Sequence, residues 1–289
     1  MKYTNTHNIP QRIIKLLSEE RQPVKDRISV TQLIDAPRIR TLLLTKWDEI
    51  VLDYSDFLYS VIGLSVDERS GKRVEDDTQA QVKLETKVDG LTVVGRADLI
   101  NENTNTIIDT KVCGTNTLDF SDTLEKWEAQ LNCYAWLYTK SGKIVKALSI
   151  DCWFRDWKLS KAKYDVEYPQ LMYQELKMPL WTFEQQEQYI KDQIEYHTIS
   201  PMDCPDTYRW KTADCYAVMP KGGKKAIAAN KYINDEKIPF SLADAQKYIA
   251  EHNLMNKLEN GSVCIEHREG VCIRCLDYCK VRSVCEFTR

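Results

Sequence analysis

Residues 91–112, LTVVGRADLINENTNTIIDTKV, decide how this chain folds. LTVVGRADLI and TIIDTKV are β-branched, apolar-rich runs, and NENTNT between them has the composition of a turn, so the segment reads as a hairpin. Folding about the midpoint between Asn103 and Thr104 sets Asp98 opposite Asp109, with Cβ atoms about 4.5–5.5 Å apart. Side chains alternate along a strand, so Lys111 projects from the same face as Asp109. Two acids and one amine share a small patch.

Carboxylates that close raise one another's pKa unless a cation sits between them. A hard divalent ion suits the patch, because Mg²⁺ is usually held by one or two carboxylates with water and phosphate oxygens. The alternative is an exposed hairpin whose Asp–Lys pairs are solvated and contribute little. Downstream, TLEKWEAQLNCYAWLYT at 123–139 spaces Leu124, Trp127, Leu131, Ala135 and Tyr138 as one face of an amphipathic helix. Gln130 and Tyr134 are i,i+4 neighbours on an adjacent stripe. On their own they read equally as a surface Gln beside a Tyr at the rim of a core.

GRAD at 95–98, D-x-K at 109–111 and Q-x-x-x-Y at 130–134, in that order, resemble the RecB-like branch of the PD-(D/E)xK nuclease superfamily. The likeness is to phage exonucleases and CRISPR-associated nucleases with a C-terminal cysteine cluster, and it spans roughly residues 28–200 and the last cysteines. It implies an α/β fold, with a restriction-endonuclease-like mixed central sheet flanked by helices. Asp98, Asp109 and the main-chain carbonyl of Thr110 would ligate Mg²⁺ or Mn²⁺, Lys111 would orient or deprotonate the attacking water, and Gln130 and Tyr134 would hold DNA. Relatives commonly carry G-x-x-V-H on an upstream helix. Here VIGLSVDERSG at 61–71 offers Gly63, Val66 and then Asp67, so an acidic oxygen stands where the histidine would be. Glu85, in VKLETKV at 82–88, matches the acidic position before the GRAD strand and is a further metal candidate; a solvent-facing Glu is the alternative.

Composition agrees with an ordinary folded protein. At 289 residues, 43% hydrophobic and 29% charged, the chain is long enough for a large core with an appended module. No run approaches a membrane span, and the polar start MKYTNTHNIPQR carries no signal sequence, so a cytoplasmic protein is expected, in a bacterial host if phage-encoded. A net charge of −3 does not advertise a nucleic-acid binder. Contact with DNA phosphates would fall to local patches, above all Lys221, Lys224 and Lys225 beside Gly222-Gly223, with Lys231 nearby; the alternative is a solvated hairpin tip. Arg274, Lys280, Arg282 and Arg289 form a second basic group.

Five of the ten cysteines fall between residues 264 and 285, too dense for incidental thiols and, without an export signal, unsuited to a disulfide framework. A local metal set would be Cys272, Cys275, Cys279 and Cys285. By the resemblance, the set is instead Cys204, in PMDCPDTYRW, with Cys275, Cys279 and Cys285, holding a [4Fe–4S] cluster. Four thiolates alone equally suit Zn²⁺. Cys113, Cys133, Cys152 and Cys215 fall in apolar runs and read as buried thiols.

The remaining sequence predicts helices over 9–20 and 29–63, broken at Pro37. Strands are predicted over 144–156 and 163–168, a helix over 182–197 capped by Thr182, and another over 241–252 capped by Ser241. The expected organisation is a nuclease core with N-terminal helices at 1–200, a small α+β insertion at 201–262 and a C-terminal cysteine-ligated metal or Fe–S region at 263–289. The expected activity is metal-dependent hydrolysis of DNA, as an exonuclease in phage or bacterial recombination or repair, with a recombinase or single-strand-binding protein as further partner. The rivals are a catalytically silent DNA-binding protein that keeps the fold, and a restriction-type endonuclease. No glycine-rich phosphate loop or G-x-S-x-G elbow appears, against nucleotide-driven motors and serine hydrolases.

Overall fold

β-Branched runs between residues 78 and 113 build the centre of the molecule, and helices on either side of them in the chain cover it. The computed structural model describes every residue except 18, 19, 73, 234, 235 and 289, and the backbone alone of residue 236. Two compact units emerge, Met1–Cys204 together with Lys280–Arg289, and Pro205–Cys279. Among the described residues, no helix is long and apolar enough to cross a membrane.

In the larger unit the chain runs β1 (Lys2–Thr4), α1 (Gln11–Ile14), β2 (Arg27–Ser29), α2 (Val30–Leu33), α3 (Pro37–Thr45), β3 (Val51–Asp53) and α4 (Ser60–Lys72). It continues through β4 (Thr78–Val88), β5 (Leu91–Asn101), β6 (Thr106–Cys113), α5 (Ser121–Lys140), β7 (Ala147–Phe154), α6 (Leu159–Ala162), β8 (Tyr173–Met178) and α7 (Phe183–Ile199). The six-stranded mixed sheet has the order β2-β5-β6-β7-β8, with β4 also paired to β5. β6 and β7 are parallel, so the chain must cross over between them, and α5 is that crossover.

The site comes from how β5 is shared. β4 pairs along one edge of β5, from Leu91 to Asn101. On the other edge, β6 pairs only with Leu99, Ile100 and Asn101, and β2 only with Thr92, Val93 and Val94. Residues 95–98, the GRAD stretch, have no strand partner on that edge. The hairpin register is the one read from the sequence, Leu99 opposite Ile108, but the strands part at the next pair, Asp98 and Asp109.

Every residue of α5 from Ala129 to Tyr138 is buried, because the helix packs on β4, β5 and β6 and is covered by α2 and α7. Its apolar side chains join Val93, Ala97, Ile107, Ile150 and Phe154 in one core. α7 begins with a capping box in which the Thr182 side chain accepts from the Gln185 N–H.

The smaller unit holds α8 (Asp206–Arg209), β9 (Cys215–Pro220), β10 (Asn230–Ile233), β11 (Glu236–Pro239), α9 (Leu242–Glu251), α10 (Met255–Glu259) and β12 (Val263–Arg268). β9 pairs antiparallel with β12, and α9, capped by Ser241, adds Ala245 and Ile249 to a small core with Val218, Phe240 and Val263. Residue 263 therefore opens a strand of this unit, whereas the sequence set a boundary just before it.

Several local expectations fail for identifiable reasons. The helix expected over 9–20 is helical only over Gln11–Ile14, and residues 18 and 19 lie outside the described residues. The strand expected at 163–168 is a turn, in which Asp165 Oδ1 accepts from the Glu167 N–H at 3.1 Å. The strand beside β7 is β8, ten residues further on. Within the stretch predicted all helical to residue 63, Val51–Asp53 pairs as β3 with β1.

Candidate active site

At the unpaired stretch of β5, a side chain does the work of a missing strand. Asp98 Oδ2 accepts from the Thr110 N–H at 2.9 Å, a backbone donor that β6 no longer offers to β5. Burial, then the negative charge of Asp109, push the Asp98 carboxyl up to about 7. Asp109 is 2% exposed. Its Oδ1 accepts from Gln130 Nε2 at 3.2 Å, and its Oδ2 lies 2.6 Å from Lys111 Nζ. That contact is an ion pair without hydrogen-bond alignment, so the buried Oδ2 makes no hydrogen bond.

α5 locks this constellation from above. Gln130 Oε1 accepts from Lys111 Nζ at 3.0 Å, and Gln130 Nε2 also donates to the Tyr134 hydroxyl at 2.9 Å. One amide thereby fixes the carboxylate, the amine and the phenol. Burial, with Asp109 beside it, drives the Tyr134 phenol well above its ordinary pKa, so it stays protonated and keeps a proton to donate. Gly95 makes the approach feasible, since a Cβ there would lie 2.9 Å from the Tyr134 ring.

Asp67 reaches the site electrostatically from α4. Burial first, then the charge of Asp109, raise its pKa, and Arg96 opposes the shift. Gln81 Nε2 donates to Asp67 Oδ1 at 2.7 Å, and Gln81 itself has φ 55°, at the point where the β4–β5 register skips the Gln81–Asp98 pair. Glu85 does not join: it is exposed and paired with Arg27 at 2.9 Å. Sequence reading missed Gln81, whose signal is a backbone strain no residue type announces, and Arg96, which stood in GRAD unassigned. A cavity of about 230 Å³ also borders Gln130, lined in part by Gln32, Asp35, Arg40 and Lys126. Gln32 lies on α2, Asp35 in the bend that follows it, Arg40 on α3 and Lys126 on α5.

Two carboxylates in mutual repulsion, one of them with a buried oxygen lacking a hydrogen bond, form a hard-oxygen donor set that fits a divalent cation. Within either unit, among the described residues, no group of three or more His, Cys, Asp or Glu side chains converges on a metal position.

Lys221, Lys224 and Lys225 are exposed around the turn at Gly222, which has φ 67°. Lys231 is instead paired with Asp244 at 2.7 Å. Arg282 pairs with Asp56 at 2.7 Å, and Arg289 lies outside the described residues. None of the ten cysteines forms a disulfide. Cys275, Cys279 and Cys285 are buried, Cys204 and Cys272 half-buried and Cys264 exposed. Arg38 Nε donates to Cys285 Sγ at 3.2 Å in the larger unit, and in the smaller one the Arg209 side chain hydrogen-bonds Cys275. Cys113, Cys133 and Cys152 are buried, as their apolar surroundings predict, whereas Cys215 is half-buried.

A family model for the PD-(D/E)XK nuclease superfamily matches residues 35–286. The chain belongs to this superfamily. Among solved structures, it is similar to the crystal structure of SSO0001, at 18% identity and a TM-score of 0.46, over 69% of this chain and 86% of that one. It is also similar to a phage related exonuclease from Haemophilus somnus 129PT, at 18% identity and a TM-score of 0.32, over 50% of this chain and 74% of that one. The search of curated proteins found no match.

Proposed function

We propose that the protein hydrolyses DNA phosphodiester bonds with Mg²⁺ or Mn²⁺, acting as an exonuclease in phage or bacterial recombination or repair. The observation that carries this reading is the Asp98–Asp109 pair at the gap in β5, with Lys111 held beside it by Gln130. Asp98, Asp109 and the Thr110 carbonyl hold the ion, and Asp67 adds negative charge to its surroundings. When bound, the ion polarises the phosphoryl oxygens and lowers the pKa of nearby water. Lys111 orients or deprotonates the attacking water and offsets charge on the phosphate. Water attacks phosphorus in line, the bond to the 3′ oxygen breaks, and a 3′-hydroxyl leaves. Gln130 and Tyr134 orient the strand, and Lys221, Lys224 and Lys225 track its backbone.

A [4Fe–4S] cluster on Cys204, Cys275, Cys279 and Cys285 belongs to the same reading, with Cys272 the alternative to Cys204 and Zn²⁺ the alternative occupant. Guanidinium donors at Cys285 and Cys275 support it, because hydrogen bonds to the ligating sulfurs are among the features that tune such a centre. The protein would work in the cytoplasm, alongside a recombinase or single-strand-binding protein.

The test is digestion of end-labelled linear and supercoiled DNA with either ion. We expect shortening from an end that stops with a chelator, and Lys111→Ala to slow it about 100- to 1,000-fold while DNA affinity stays within a few-fold. Loss of binding together with cutting in that variant would contradict the assigned role.

A further inference from the structure

Tyr59 is an aromatic side chain left in water beside a turn whose other rings are packed. It follows a short turn in which Tyr54 stacks on Tyr3 at 5.3 Å and Phe57 packs against the same ring, yet Tyr59 itself is 75% exposed. Its partner is the guanidinium of Arg155, 5.6 Å from the ring centroid. Arg155 is exposed and, among the described residues, makes no ion pair. An exposed pair of this kind contributes little to stability.

Their position gives them a use. The Arg155 N–H donates to the Cys113 carbonyl at 3.0 Å, which fixes it two residues beyond Lys111 on β6, about 7 Å along the strand. Tyr59 enters α4, which packs on β4, β5 and β6 and carries Asp67 about 12 Å further along its axis. Leu58 and Ile62 beside it are also exposed. The Tyr59 ring and the Arg155 guanidinium together offer what single-stranded nucleic acid needs, a face for a base and a charge for its phosphate.

We propose that Tyr59 and Arg155 form a stacking platform for an unpaired base of the strand entering the Asp98–Asp109 site, so that the protein selects single-stranded or frayed DNA ends. This rests on the hydrolase reading above. Bases within a duplex are already stacked on their neighbours and have no free face to offer.

Binding is measured in the full chain carrying Lys111→Ala, by fluorescence anisotropy of a labelled oligonucleotide of about 20 nucleotides, single-stranded or as a blunt duplex. Tyr59→Ala should weaken single-strand affinity about 5- to 150-fold and duplex affinity less than about two-fold, with Tyr59→Phe restoring binding. Arg155→Gln should weaken single-strand binding and flatten its salt dependence. Equal weakening on both DNAs, failure of Tyr59→Phe to rescue, or no effect on either would overturn the platform. Anisotropy needs no cutting, so a parent protein that digests no DNA would sink the hydrolase reading while leaving this measurement intact.

Discussion

Burial and the nearby charge of Asp109 make Asp98 costly to hold as a carboxylate. Its folded pKa of about 7 exceeds the ordinary value near 4, so the folded state binds that proton more tightly than the unfolded chain does. The stability this confers is complete below about pH 4 and is lost as pH rises through about 7. Asp98→Asn has no such loss. Without divalent ions we expect it to melt roughly 2–4 °C above the parent protein at pH 8, and the difference to shrink at pH 5. Mn²⁺ should raise the melting temperature of the parent protein only. A constant difference across that pH range would show that Asp98 is not strained. At this scale the sequence was informative: spacing brought Asp98, Asp109 and Lys111 together and paired Gln130 with Tyr134, and the family resemblance joined the two groups, which meet in the structure. Glu85 misled because its position in the strand said nothing of Arg27, which comes from β2, far away in sequence.

At the level of elements, the site depends on α5 lying close to β5 at Gly95. Gly95→Ala introduces a methyl 2.9 Å from the Tyr134 ring, which is buried and has no room to retreat. We expect a loss of about 1–3 kcal/mol in denaturant unfolding. A larger proportional fall in nuclease rate than in stability should accompany it, because Tyr134 and Gln130 shift together. An unchanged unfolding midpoint would mean that α5 has slack there. α5, α7 and α9 were legible because each joins a periodic pattern to a recognisable start or a long apolar stripe. β1 and β3 were not, because three residues are too few to show a period. The turn at 163–168 imitates an alternating strand, and only the local Asp165 hydrogen bond separates the two.

For the whole molecule, the sequence set a boundary at 200/201, where the chain divides after Cys204, but set the next at 262/263 rather than after Cys279. Unit boundaries fall after Cys204 and Cys279, each at a cysteine proposed as a ligand. β12 was unreadable as part of the second unit because its partner β9 lies over 40 residues earlier. If the cluster is present, anaerobically purified protein should be brown, with about four irons per chain. Cys275→Ser should be colourless and melt at a lower temperature, since such a centre contributes directly to folding. A colourless parent protein containing zinc would replace iron–sulfur by a structural zinc site.

The claim on which the rest depends is that Asp98 and Asp109 share a divalent ion. Calorimetric titration of Mn²⁺ into metal-free protein at pH 8 addresses it directly, with Asp98→Asn and Asp109→Asn measured alongside. We expect a saturable site in the parent protein that each substitution abolishes, with folding intact by circular dichroism. Equal Mn²⁺ binding by the parent protein and both variants would contradict it.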